Sequence, residues 1–85
     1  MKIAFFGTPE FAVPCLDMLV KNGYDVVGVF CQPDRKSGRG HKVSFSPVKK
    51  KALIYNLPVF QYEKIKSKES INKIKELDID LMITV

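Results

Sequence analysis

Three apolar runs in this chain do not alternate with polar residues: Ile3-Ala4-Phe5-Phe6, the stretch Asp25 to Cys31, and Leu81-Met82-Ile83-Thr84-Val85. A strand with one wet face alternates apolar and polar side chains. An uninterrupted run of this length suits a strand covered on both faces, as in a parallel sheet. This feature constrains the fold more than any other, because parallel neighbours must be joined by long crossovers, usually helices.

The intervening segments supply those helices. Gly7-Thr8-Pro9 turns the chain after the first strand, Lys2 to Phe6. Pro14 lacks a backbone N–H, so it belongs in the first turn of the helix that follows. Leu16, Leu19 and Val20 share one face of that helix, Asp17 and Lys21 stay outside, and Asn22-Gly23 stops it. Ser46-Pro47 reads as the cap and first residue of a second helix that carries Val48, Ala52 and Leu53 and ends near Tyr55. Leu57 to Gln61 is a short third strand, limited by Pro58 at its start or edge. A third helix from about Ser67 is expected to place Ile71, Ile74 and Leu77 on one face, before the fourth strand within Ile79 to Val85.

The resulting order, β-α-β-α-β-α-β, predicts a Rossmann-like α/β fold. It has a parallel sheet in the order 3-2-1-4, right-handed crossovers and helices on both faces. Val85 falls inside an apolar strand, so residues 1–85 read as the N-terminal fragment of a longer domain, with the remainder of that domain absent. The fourth strand would then present an unpaired apolar edge, through which the fragment is expected to self-associate. No apolar run approaches the roughly 18 residues of a membrane span. The opening Met1 to Phe6 ends too early at Gly7 for a signal peptide. The expectation is a cytoplasmic protein without a membrane partner. Cys15 and Cys31 form no C-x-x-C pair, and one histidine adds too few ligands for zinc, so no metal is expected.

Charge is concentrated rather than spread. Between Gln32 and Lys51 stand seven cations against Asp34 alone, while the rest of the chain carries seven basic and eight acidic groups. Gln32 to Lys42 has no apolar periodicity and reads as a loop rich in glycine and cations. Arg35, Lys36, Arg39 and Lys42, with His41 as part of the same basic surface, fit a polyanion partner. The glycines flanking Arg39 let a loop follow a groove, and arginine binds phosphate through two N–H donors. Lys49-Lys50-Lys51 is weaker, since consecutive helical residues point about 100° apart and such a run equally suits a solvated helix face. The first turn, Gly7-Thr8-Pro9-Glu10-Phe11-Ala12, has one glycine and a proline where a dinucleotide site needs G-x-G-x-x-G, so neither NAD nor FAD is expected. Charge alone leaves a non-catalytic RNA-binding module open.

Phe6 to Pro14 (Phe-Gly-Thr-Pro-Glu-Phe-Ala-Val-Pro), Val29 to Arg35 (Val-Phe-Cys-Gln-Pro-Asp-Arg), Gly38-Arg39-Gly40 and Ser46-Pro47-Val48-Lys49 together resemble the N-terminal part of the methionyl-tRNA formyltransferase family. Leu57 to Gln61 and Asp80 to Val85 add to the match. Related folate-dependent formyltransferases acting on ribonucleotides or sugar nucleotides share the fold but lack the basic loop. Cys31 and Tyr62 depart from the Thr and Pro that the family often has there. The resemblance implies formyl transfer from 10-formyltetrahydrofolate to the methionine amino group of initiator methionyl-tRNA, for translation initiation, by an intact enzyme expected to be monomeric. It places the catalytic Asn, His and Asp beyond Val85, within and beyond an Asn-x-His-x-Ser-Leu-Leu-Pro segment, along with the remainder of the catalytic domain and a C-terminal domain. No catalytic residue is then expected in these 85 residues, and the fragment alone should be inactive. It assigns Arg35, Lys36, Arg39, His41 and Lys42 to the tRNA acceptor-stem region. Gly7, Thr8, Pro9 and Phe11 become candidate walls of the substrate pocket.

Overall fold

A computed structural model describes residues 1–8, 10–37, 42–64 and 67–85 of the chain. Strands β1 (Lys2–Phe6), β2 (Asp25–Phe30), β5 (Val59–Phe60) and β6 (Leu81–Thr84) form one sheet in the order β5-β2-β1-β6. Every pairing in it is parallel. Counted within this sheet, that is the expected order 3-2-1-4, with α1 (Val13–Lys21), α2 (Pro47–Ile54) and α3 (Lys68–Glu76) in the crossovers. Strands β3 (Arg35–Ser37) and β4 (Lys42–Ser44) make a separate antiparallel pair. The Gln32–Lys42 segment is therefore partly a hairpin strand, where the sequence suggested loop throughout.

The helix boundaries follow from local chemistry. A 3-10 turn, Glu10–Ala12, leads into α1, and Pro14 occupies its first turn, where a missing N–H costs nothing. Gly23, at φ +76°, ends it. Ser46 Oγ accepts from Lys49 N at 3.1 Å at the start of α2, and Ser67 Oγ accepts from Ser70 N at 3.2 Å at the start of α3. Each such cap contributes about 1 kcal/mol. Asn56 and Asp78 close α2 and α3 with φ of 57° and 54°, a region these two residue types tolerate.

On one face of the sheet, Ile3 and Phe5 of β1 and Val26 and Val29 of β2 pack with Leu16 and Leu19 of α1 and Val48 and Ala52 of α2. Val26 and Val29 reach the same face because the register slips between Ile3 and Ala4: Ile3 pairs with Val26, but Ala4 pairs with Gly28. The extra residue in β2 restores the in-out phase after the slip. Helices α1 and α2 are tied to each other by Tyr55, whose hydroxyl donates to Asp17 Oδ1 at 2.5 Å, with Lys51 Nζ 3.8 Å from the same oxygen. The other face is built from Phe30 and Phe60 around Gly28. A side chain at Gly28 would meet the Phe60 ring at 3.0 Å and Leu77 at 3.2 Å, so this glycine lets that aromatic layer close.

Helix α3 differs in detail from its expected apolar face. Ser70 is fully buried, Ile74 and Leu77 are half-buried, and Ile71 is exposed. The inward stripe is thus 70-74-77 rather than 71-74-77. Lys73 joins it, its ammonium 5.4 Å from the Phe60 ring centroid and 3.2 Å from Glu76 Oε2, so a long side chain covers apolar surface with its head paired. Strand β6 forms one edge of the sheet. Ile83 packs against the core, while Leu81 and Met82 are exposed.

Candidate functional site

The carboxyl ends of β1, β2 and β6 meet at a cleft of 380 Å³. Strand β1 has neighbours on both sides reached by crossovers in opposite directions, and ligands of open α/β sheets bind at such a reversal. Phe6, Gly7 and Thr8 line it from β1, Cys31 and Gln32 from β2, and Thr84 and Val85 from β6, with Tyr62 at the side. Its apolar wall is an aromatic stack: Phe6 lies 4.6 Å from Phe30 at 15°, and Phe30 lies 6.3 Å from Tyr62 at 28°.

Backbone bonds continue past the strand ends and fix the rim. Gly7 N donates to Phe30 O at 3.0 Å, Cys31 N to Phe60 O at 3.1 Å, and Val85 N to Phe6 O at 2.9 Å. Thr8 Oγ1 accepts from Gln32 N at 2.9 Å, joining the turn after β1 to the segment after β2. Gly7 is needed for space: a Cβ there would stand 3.0 Å from Ala12 Cβ and 3.2 Å from the Phe5 ring.

Beyond Gln32 the chain enters the basic hairpin, in which Arg35 pairs with Ser44, Lys36 with Val43 and Ser37 with Lys42. Asp34 stands just before it. Its Oδ2 is 2.6 Å from Lys49 Nζ, and its Oδ1 accepts from Gln61 Nε2 at 2.7 Å. Gln61 also donates to Gln32 O at 3.1 Å. Lys49 and Gln61 hold the Asp34 carboxyl below its ordinary range. The same Lys49 ammonium lies 3.8 Å from the ring centroid of Phe45, just after the hairpin. Burial pushes the Cys31 thiol up, outweighing a hydrogen bond with Ser46 and the Lys49 charge, which pull the other way. Cys31, buried beside the cleft, is thus disfavoured as a thiolate nucleophile.

Of the expected pocket residues, Gly7 and Thr8 line the cleft, and Pro9 lies outside the described residues. Phe11 sits on the 3-10 turn, 71% exposed, and is not part of the cleft lining. The backbones of Arg35, Lys36 and Lys42 lie together in the hairpin, while Arg39 and His41 fall outside the described residues. The lysine run divides: Lys49 turns to Asp34, Lys51 to Asp17, and Lys50 is exposed. Sequence reasoning missed Asp34, Gln61 and Phe45. Their partnership spans three elements, and no local spacing announces it.

A family model described as formyl transferase matches residues 1–85. The chain belongs to the formyl transferase family. It is 53% identical over 85 residues to the methionyl-tRNA formyltransferase of Alkaliphilus oremlandii (strain OhILAs), covering 100% of this chain and 27% of that relative. It is 48% identical over 85 residues to the methionyl-tRNA formyltransferase of Clostridioides difficile (strain 630), covering 100% and 28%. A third methionyl-tRNA formyltransferase, from Ruminiclostridium cellulolyticum, is 52% identical over 84 residues, covering 99% and 27%. The chain thus spans little more than a quarter of the length of these formyl transferase relatives.

Proposed function

We propose that the protein carrying this chain transfers a formyl group from 10-formyltetrahydrofolate to the methionine amino group of initiator methionyl-tRNA, for translation initiation in the cytoplasm. These residues would form the N-terminal part of its catalytic domain. The observation that carries the reading is the basic hairpin at the lip of an aromatic-walled cleft, in a chain about half identical to proteins named for this activity. Formyl transfer forms a C–N bond between the amine and the formyl carbon and breaks the bond to the folate nitrogen. The amine loses a proton and the departing nitrogen gains one. Such a reaction needs an oxyanion donor and a proton acceptor close together.

The residues in hand suit binding rather than that proton traffic. The Phe6–Phe30 stack offers an apolar wall, Thr8 and Gln32 fix the rim, and burial disfavours the Cys31 thiolate. Arg35, Lys36, Arg39, His41 and Lys42 are assigned to the tRNA, and Gly7, Thr8, Pro9 and Phe11 to the substrate pocket. The acid–base groups are assigned to sequence beyond Val85.

The test is a formylation assay on methionyl-tRNA with 10-formyltetrahydrofolate, run on the full-length protein and on the 85-residue chain. The full-length protein is expected to formylate and the short chain to be inert. A full-length protein that binds tRNA and never formylates would leave the RNA-binding module as the function.

A further inference from the structure

Among the described residues, the hairpin that this functional reading places on tRNA has no hydrogen-bonded partner strand in the main sheet. It consists of three residue pairs, Arg35 with Ser44, Lys36 with Val43 and Ser37 with Lys42. A two-stranded ribbon is marginal in water on its own, so something outside it must set its angle to the cleft. The residues immediately before and after it are Asp34 and Phe45, and one side chain touches both. Lys49 Nζ stands 2.6 Å from Asp34 Oδ2 and 3.8 Å from the Phe45 ring centroid.

Lys49 is a sound anchor. It lies in the first turn of α2, its own N–H bonded to the Ser46 cap, and the adjacent Val48 is fully buried in the core. Asp34 is equally constrained from its far side, where Gln61 bridges it to the Gln32 carbonyl at the cleft rim. The two charged side chains are 13% and 21% exposed, so salt screens this pair less than a surface pair. The ring contact adds a second attraction for the same cation.

We propose that Lys49 is a positioning residue for the RNA: by holding both ends of the hairpin it fixes the hairpin's direction from the cleft rim, and it does not itself bind phosphate. The inference rests on the reading that the hairpin meets tRNA. It separates Lys49 from the basic surface to which its charge would otherwise assign it. Lys50, next to it and exposed, has no such engagement among the described residues.

The experiment uses the full-length protein with Lys49→Met, Lys49→Arg and Asp34→Asn. Hydrogen exchange of the amides of 35–37 and 42–44 is followed in the free protein, alongside KM for methionyl-tRNA, KM for folate, and the salt dependence of tRNA affinity. Lys49→Met is expected to speed hairpin exchange about tenfold, corresponding to ~1.4 kcal/mol of local opening, with β1 and β2 unchanged. KM for methionyl-tRNA should rise with KM for folate unmoved. Asp34→Asn should do the same more weakly, since Lys49 keeps Phe45. Lys49→Arg, which can pair with a carboxylate and stack on a ring, should recover most of the loss.

The log–log salt slope should be unchanged, because no phosphate contact is lost. A slope reduced by about 0.7–0.9 would make Lys49 a phosphate contact and overturn the proposal. Unchanged hairpin exchange in both Lys49→Met and Asp34→Asn would also overturn it, whatever the activity. Faster exchange with unaltered KM for tRNA would show that the clamp orders the hairpin without serving the RNA, and the positioning role falls. If the protein forms no formylmethionyl-tRNA, the functional reading fails, while exchange still judges the clamp. Asp34→Asn removes only charge, so it supplies that judgement where Lys49→Met does not fold.

Discussion

Gly7→Ala tests whether the rim of the cleft is set by packing. The added Cβ would stand 3.0 Å from Ala12 Cβ and 3.2 Å from the Phe5 ring. Ordinary carbon contacts lie at about 3.5–4.0 Å, so at least one neighbour must retreat by roughly half an ångström. Ala12 Cβ cannot rotate away, because it is fixed to the backbone of the 3-10 turn. Phe5 is fully buried in the core and has little room to yield. Overpacking of this kind costs about 1–3 kcal/mol. Gly7 is not among the residues with positive φ, so alanine also restricts the unfolded chain favourably, by about 0.4–1 kcal/mol. The net expectation is a loss of about 1–2 kcal/mol.

The sharper measurement is the coupling with Ala12→Gly. That change alone loses a buried methyl, about 0.8 kcal/mol, and adds glycine entropy of about 0.5–1 kcal/mol. In the double variant the 3.0 Å contact no longer exists, so its loss should fall short of the sum of the single losses by about 1 kcal/mol. Urea unfolding of the four full-length proteins, compared at their midpoints with unchanged m-values, gives the cycle. Additivity within about 0.3–0.5 kcal/mol, or a Gly7→Ala protein more stable than its parent, refutes the steric account.

Cys31, with its thiol pushed up by burial, should resist alkylation at neutral pH in the native protein and react at the normal rate once unfolded, as iodoacetamide labelling and peptide mass would show. Asp34 is held below its ordinary range, so its pairing stabilises the fold above the unfolded carboxyl pKa and is lost as pH falls through the lower folded value. The stability difference between the parent and Asp34→Asn should therefore be flat through neutral pH and vanish only in acid, by thermal unfolding at a series of pH values. Arg39→Ala should lower the log–log salt slope of tRNA binding by about 0.7–0.9; an unchanged slope and affinity would remove Arg39 from the interface. The 85-residue chain expressed alone should self-associate through β6, where Leu81 and Met82 are exposed on an edge strand, and a clean monomer by sedimentation would count against this.

Strands β1 and β2 were legible because burial on both faces leaves a mark in each strand separately, and connection rules then restrict the order of the four strands. The apolar run of β6 was legible too, although Leu81 and Met82 are exposed rather than covered on both faces. The caps at Ser46 and Ser67 and the placement of Pro14 were legible for the same reason: their chemistry is local. The hairpin was not. Arg35–Ser37 and Lys42–Ser44 have no apolar alternation to reveal pairing. Helix α3 differed at one position of its inward stripe: Ser70, whose backbone N–H is bonded to the Ser67 cap, is buried in place of Ile71, and a lone small polar residue gives no apolar signal. The lysine run was ambiguous in principle. Which of Lys49 to Lys51 is engaged depends on Asp17 and Asp34, brought to α2 only by the folded sheet.

The ends of parallel strands explain why the cleft and the hairpin clamp occur together. Each strand must stop, and the last carbonyls and amides of β1, β2, β5 and β6 need partners where the strands end. Here Gly7, Cys31 and Val85 bond to neighbouring strands, and Thr8 and Gln61 satisfy the amide and carbonyl of Gln32. The groups that terminate the strands are thus the groups that shape the cleft rim. Gln61 completes the link, since the amide that ends β5 also holds Asp34, and Asp34 holds the hairpin through Lys49. Among the described residues, a change at the first turn reaches the hairpin only indirectly, along the rim through Thr8, Gln32 and Gln61 and across the core from Ala12 to α2. Gly7→Ala should therefore speed exchange in 35–37 and 42–44 less than Lys49→Met does, even where it costs the fold more.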